Sequence, residues 1–478
     1  MSRWVDHIER SLGSSTASVT EIESGRSVTY PELLRAGERW MGALQHLDRS
    51  FVSVILPNSI DYLEVNLAAL RTRNVFNPIP YFVSPGELRK ILSYVKPGAL
   101  VTDREDIATE FGAEYKIITP ADATAATPAG RTRECAEDDV YALYYSSGTT
   151  ASPKGVLYTH GNAYSLISSI HRDFKFGATT RQLALLPFGH TASINYNILP
   201  AFYAGSPLFV SQGFQNLRAN FFDVLAKHRI NYTEIVPSVL LMLVNLKHKV
   251  AALDLSALEF IGCGSSTLPL DSQKHFMELY GVKVGNLYGL SETGPCHIDD
   301  PREPGWEPGS IGRPLSVNAC SVSKDGELLL KGPNVFTNYY QNAELYKEVV
   351  QDGWFHTGDL GFEKDGRFFF SDRKKDLIIK SGINIVPAEV EEVIYQSGLV
   401  LECAVVAKPD RVHGETVAAA LVPKDGVAAA TFTQLVLDHC KSNLSSYKIP
   451  SFVKVLEKIP KTHSGKLLRK DVRELFAE

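Results

Sequence analysis

The sequence predicts an α/β protein: a large N-terminal domain of layered α/β sheets followed by a small C-terminal α+β domain. Three observations lead there. The first third alternates strand-like and helix-like segments, the pattern of layered, largely parallel sheet. Late in the chain, DGELLLKG (325–332) and GRFFFSDR (366–373) change the texture to short β segments flanked by turn residues. At 478 residues the chain is also too long for one compact core.

The elements follow in order. FVSVILP (51–57) is an apolar strand ended by Pro-Asn-Ser, and IDYLEVNLAALRTR (60–73) has helical spacing. SPGELRKILSYV (84–95) opens a helix with Ser84 as N-cap, Pro85 at the first position and Glu87 at the capping-box position. GALVTD (98–103) and KIIT (116–119) are short strands, and TPADATAATPAG (119–130) reads as a surface loop. VYALYYSS (140–147) is β-rich, and GNAYSLISSIHRDF (161–174) is helical. The segment between them therefore sits at the C-terminal end of a strand, where open α/β sheets place ligands. PAEVEEVIYQSG (387–398) is a helix with Pro387 near its start. We place a domain boundary near residues 374–376, giving 1–374 and 375–478.

Composition excludes several classes. With 44% hydrophobic and 22% charged residues, the chain is that of an ordinary soluble globular protein. A net charge of −5 argues against a general nucleic-acid binder. The six cysteines are scattered, without a C-x-x-C pair or a Cys/His cluster, which points to reduced thiols in the cytoplasm and against structural zinc. The N-terminal MSRWVDHIERSL lacks the apolar core of a signal peptide. The longest apolar run, near IVPSVLLMLVNL (235–246), is too short to span a bilayer and reads as a buried core helix.

Five stretches carry chemistry. YYSSGTTASPKG (144–155) is nearly a phosphate-binding P-loop, but Pro153 stands where the second glycine belongs and Gly155 where the metal-binding hydroxyl belongs. Its hydroxyls at Ser146, Ser147, Thr149 and Thr150, the close turn allowed by Gly148, and the charge of Lys154 suit phosphate oxygens. The same residues also make an ordinary polar loop. In NLYGLSETG (286–294), Tyr288 offers a flat ring for a base, and Ser291 and Glu292 pair a hydroxyl with a carboxylate suited to Mg²⁺. Asp359 in WFHTGDLG (354–361) can accept ribose hydroxyls, and Arg373 in SDRKKDLIIKSG (371–382) can reach a ribose or phosphate. PKTHSGKLLRK (460–470) presents Lys466 after a glycine. Taken singly, each reads equally as a solvated turn.

Together, in this order and spacing, the five stretches resemble the acyl-adenylate-forming superfamily: acyl-CoA synthetases, adenylation domains and beetle luciferase. The resemblance runs from SVTYPELL (27–34) to Lys466. It implies that the Ser/Thr/Gly loop holds the ATP pyrophosphate without being a P-loop. One departure is visible: Ala151 stands where the family usually has glycine. The resemblance further implies that Ser146 to Thr150 and Lys154 grip phosphates. Tyr288 would lie against adenine, with Asn286, Gly289 and the backbone of Gly264, Ser265 and Ser266 near its edge. Ser291 would contact phosphate, Glu292 would bind Mg²⁺, and Asp359 and Arg373 would hold the ribose. Lys466 would reach the carboxylate and the α-phosphate. Lys375 matches the hinge of a mobile C-terminal domain that serves two half-reactions in turn.

In this family the acyl pocket lies beside LPFGHTASINYN (186–197), and His190 matches a residue that gates it. Thr191 to Ile194 contain no acid, which disfavours an α-amino acid substrate. Thr191, Val236, Gly262, Cys263, Gly264 and Gly294 imply a largely apolar pocket for an aryl or small-to-medium aliphatic acid. The acceptor thiol is coenzyme A or the phosphopantetheine of an acyl carrier protein. The lysine-rich C-terminus suits the CoA phosphate or an acidic carrier. A non-catalytic nucleotide-binding relative is the reading from another class.

Overall fold

The computed structural model describes residues 2–130, 134–146, 154–424, 426–461 and 467–477. Two seven-stranded sheets organise the larger part. In the first, strands run in the order Asn338–Tyr339, Lys154–Thr159, Val140–Ser146, Val75–Pro78, Phe51–Ile55, Ala99–Thr102 and Ile117–Ile118. The last five are parallel, and the first two are antiparallel additions. The second sheet carries Val284–Leu287, Phe260–Gly264, Tyr232–Ile235, Gln182–Ala184 and Leu208–Val210 in parallel, then the hairpin Ser18–Glu21 and Ser27–Thr29.

A helical layer joins the two sheets. The helix Ile60–Leu70 is buried at every position except Asp61, and its polar Glu64 and Asn66 are held by Trp40 and Tyr141. One continuous core links Val52 and Val54 of the first sheet, Leu166 and Ile167 of the helix His160–Asp173, and Leu208, Tyr232 and Phe260 of the second. A five-stranded antiparallel sheet follows, with Trp354–Lys364 paired to Glu327–Lys331 on one edge and Arg367–Arg373 on the other. The chain then leaves through the short turn Lys374–Asp376 and enters a separate sheet centred on Val400–Asp410 and Gly414–Pro423. That sheet has its own cores on both faces. No helix among the described residues is long and apolar enough to cross a membrane.

Two local expectations are corrected. The stretch 119–130 is not all loop, because Pro120–Ala125 is helical. Thr119 accepts from the Asp122 backbone N–H while the Asp122 carboxylate accepts from Thr119, a reciprocal cap with Pro120 at the first position. The helix after the opening loop does not follow it directly. The strand Lys154–Thr159 intervenes, antiparallel to Val140–Ser146, with Ser146 opposite Lys154. KGVLYT has the β-branched and aromatic content of a strand, and its alternation is too short to stand out beside a helix.

Candidate active site

The antiparallel ladder of the third sheet brings Asp359 and Arg373 face to face as backbone partners. Arg373 Nε lies 3.2 Å from Asp359 Oδ1. On the other side, the Tyr288 hydroxyl donates to Asp359 Oδ2 at 2.7 Å. Burial, then the Asp359 charge, pushes the Tyr288 phenol far up, so it remains a protonated donor. Just before Asp359 on its strand, Gly358 has a φ of +72°, which suits glycine, and its N–H donates to Glu327 at 2.8 Å. A carboxylate on a cavity wall, flanked by a guanidinium, is well made to accept a pair of hydroxyls.

These groups wall a cavity of about 850 Å³ that also touches Asn286, Gly289, Ser265 and Ser266. The Asn286 backbone N–H is anchored to the buried Asp299 carboxylate at 2.8 Å, which also accepts from Trp306 and Ser310. Burial raises Asp299 to about 6. Ser265 sits at φ +70°, a conformation that a residue with a Cβ rarely adopts.

An adjoining cavity of about 590 Å³ shares Ser265, Gly289, Asp359, Arg373 and Lys375 with the first. Its wall adds Lys154, His190, Thr191, Ser291, Glu292 and Gly294. The Tyr339 hydroxyl donates to Glu292 Oε1 at 2.9 Å, and Ser291 Oγ donates to the Tyr145 carbonyl at 3.2 Å. His190 Nδ1 accepts from the Ala192 backbone N–H at 3.3 Å, fixing its ring at the start of a short helix. Gly294 has φ +61°, and a Cβ there would sit 2.5 Å from Leu166, so a side chain is excluded on two counts.

The structure thus gathers Tyr288, Asp359 and Arg373 at one chamber and Lys154, His190, Ser291, Glu292 and Gly294 at the next. Val236, Gly262, Cys263 and Gly264 line neither. All four are packed in the core around Phe260–Gly264. The two glycines let Leu287 pass closely, since a Cβ on Gly264 would meet the Leu287 carbonyl at 2.7 Å and one on Gly262 the Leu287 side chain at 2.5 Å. The strand Val140–Ser146 ends at the opening loop, while Ser147, Gly148, Thr149, Thr150, Ala151 and Lys466 lie outside the described residues. Tyr339, which holds Glu292, escaped sequence reasoning because it stands 47 positions away in an unremarked NYY segment.

Comparison with known proteins agrees with this layout. Residues 8–340 match the AMP-binding enzyme model, and residues 389–466 match the AMP-binding enzyme C-terminal domain. A sulfoacetate–CoA ligase of Cupriavidus necator is 30% identical over 444 residues, covering 87% of this chain and 86% of that protein. A feruloyl-CoA synthase from an Amycolatopsis species is 30% identical over 472 residues, covering 95% and 94%. The solved o-succinylbenzoate CoA synthetase of Bacillus subtilis, in complex with its acyl-adenylate intermediate, aligns with a TM-score of 0.87 at 26% identity, covering 99% of this chain and 98% of that one. With the family model spanning well over half the chain and relatives matching nearly end to end, the chain belongs to the AMP-binding enzyme family.

Proposed function

We propose that the chain activates a carboxylic acid with ATP, releasing pyrophosphate, and passes the acyl group from acyl-AMP to the thiol of coenzyme A. The observation that carries this is the meeting of two chambers: Tyr288, Asp359 and Arg373 on one side, Lys154, Ser291 and Glu292 on the other. The relatives' names, a sulfoacetate–CoA ligase and a feruloyl-CoA synthase among them, favour coenzyme A over a carrier protein as acceptor.

In this reading Tyr288 lies along the adenine, with Asn286, Gly289, Ser265 and Ser266 at its edge. Asp359 accepts the ribose hydroxyls and Arg373 holds that carboxylate in place. The loop from Ser146 to Thr150 and Lys154 hold the phosphates, with Ser291 beside them. A carboxylate oxygen of the acid attacks the α-phosphorus, and the bond to the β-bridging oxygen breaks. Both reactants are anions, so cations placed where charge accumulates lower the barrier by roughly 3–4 kcal/mol each. Lys466 is assigned that task.

Mg²⁺ commonly binds through one or two protein carboxylates beside phosphate oxygens, and Glu292, at the cavity wall with its carboxylate oriented by Tyr339, fits such a site. When bound it would neutralise phosphate charge. His190 and Thr191 border the acyl side, which takes an aryl or small-to-medium aliphatic acid. The small domain from residue 375 onward turns about Lys375 between the two half-reactions. Cys263, Cys296, Cys320, Cys403 and Cys440 are free thiols, in keeping with a cytoplasmic enzyme.

The test is a panel of acids with ATP, Mg²⁺ and coenzyme A. Acid-dependent pyrophosphate release and a mass-identified acyl-CoA are expected. Formation of ADP and phosphate in place of AMP and pyrophosphate would contradict the reading.

A further inference from the structure

A buried carboxyl stands near Tyr196, a residue that lines the second chamber. Glu234 is 1% exposed, and neither of its carboxylate oxygens has a hydrogen-bond partner among the described residues. It does not stand alone. The hydroxyls of Tyr196 and Tyr232 and the side-chain amides of Gln182 and Asn197 are equally buried and equally unpartnered. Tyr232 and Glu234 alternate onto one face of the strand Tyr232–Ile235, where Tyr232 is opposite Gln182 and Glu234 opposite Gly262. The packed element on that side is Ile194–Ile198, one wide turn of π-helix within an otherwise α-helical run. Such turns recur at functional sites.

Tyr196 links this buried polar cluster to the active site. It belongs to the π-turn, and it lines the chamber that holds His190, Ser291 and Gly294. Its neighbour Asn195 places its amide nitrogen 3.3 Å from where a Gly294 Cβ would be. Glu234 is close enough that, after burial, its charge is the next influence raising the Tyr196 and Tyr232 phenols.

A buried carboxyl without a partner is costly in either protonation state, and a fold gains nothing from it. Groups of this kind persist where a ligand supplies the missing partner. We infer that Glu234, with Tyr196, is the specificity determinant at the closed end of the acyl chamber, and that it takes a protonated amine carried by the acid at the end remote from its carboxylate. This rests on the reading of that chamber as the acyl site. It narrows the expected substrate from a plain aryl or aliphatic acid to one with a cationic tail. Burial holds the Glu234 carboxyl far above its ordinary range, so it is neutral until the ammonium group pairs with it and the carboxyl proton leaves to solvent.

The experiment compares acids of equal shape that differ only in the terminal group: para-aminomethylbenzoate against para-ethylbenzoate, and ε-aminocaproate against heptanoate. Acid-dependent pyrophosphate release gives kcat/KM for each with wild type, Glu234→Gln and Glu234→Leu. Wild type should favour the amine member of a pair, and Glu234→Leu should cut that ratio by at least about 100-fold and invert it. Glu234→Gln should fall between. Glu234→Leu should also keep Tm at or above wild type, because it removes an unpaired polar group. A ratio unmoved by both variants, or a Tm that drops with the ratio intact, assigns Glu234 to structure and overturns the inference while leaving the ligase reading standing. Absence of pyrophosphate release with every acid tested would remove both.

Discussion

Tyr288 and Asp359 are 71 positions apart, and one 2.7 Å hydrogen bond joins them. Asp359 is 2% exposed, so it relies on Tyr288 and Arg373 for its charge compensation. Tyr288→Phe keeps the ring and removes the donor. A hydrogen bond to a charged group contributes about 1.5–3 kcal/mol, and we expect ATP affinity to fall by roughly 10- to 100-fold, measured calorimetrically. kcat should change less, because the ribose is remote from the reacting atoms. Unaltered affinity would detach this cluster from the nucleotide. Tyr288, Asp359 and Arg373 were each legible in the sequence as a ring, a carboxylate and a cation in turn-rich stretches. Their convergence was not, because it is made by strand pairing across the third sheet. Glu234 was illegible for a different reason: a glutamate in YTEIV reads as a solvated strand residue until burial is known.

Two buried histidines shape the acid limb of stability at the level of the elements. His297, on the short strand His297–Ile298, packs edge-on against Tyr288 and Phe368 and is held down to about 3 by burial. His160, at the start of the helix His160–Asp173, is held down to about 4 by burial, with Asp139 and Glu137 acting in the opposite direction. Each is neutral when folded and protonates more readily when unfolded. The unfolded state therefore binds the extra proton as pH falls below 6.5, and the stability these groups confer at neutral pH is lost towards pH 3 for His297 and pH 4 for His160. One such group contributes a slope of at most about 1.4 kcal/mol per pH unit. His297→Phe should flatten the decline of Tm with falling pH across that window, relative to wild type. A slope equal to wild type would mean that His297 is already protonated in the fold. The helix start at Ser84 was spelled out by its cap, while the cap at Thr159 went unread. The helix at Pro120 carried the same signal inside an alanine-rich stretch that read as a surface loop.

For the whole molecule, the small C-terminal sheet is docked through a few polar contacts. Glu392 accepts from the backbone N–H groups of Leu270 and Asp271 at 3.1 and 3.2 Å, and Asp372 accepts from Ala388 at 2.9 Å. Contacts of this kind can be exchanged for others without dismantling a core, which suits a domain that turns. The change of texture near residue 374 was readable because one sheet's strands end there and another's begin. The docking itself was not, because it is made by backbone groups. Lys375→Pro fixes φ near −65° and restricts Lys374. One half-reaction, pyrophosphate release or thioester formation, should slow by orders of magnitude while the other changes little. Two rates near wild type would move the pivot elsewhere. The central claim, that a carboxylate of the acid attacks the α-phosphorus of ATP, is tested most directly by isotope transfer. An acid labelled with ¹⁸O in both carboxyl oxygens is turned over with ATP and coenzyme A, and the AMP is weighed. Attack forms the bond from a carboxyl oxygen to phosphorus, and thiolysis breaks the bond from that oxygen to the acyl carbon. The account predicts one ¹⁸O in AMP and none in pyrophosphate; AMP without label, or label in a released phosphate, would contradict it.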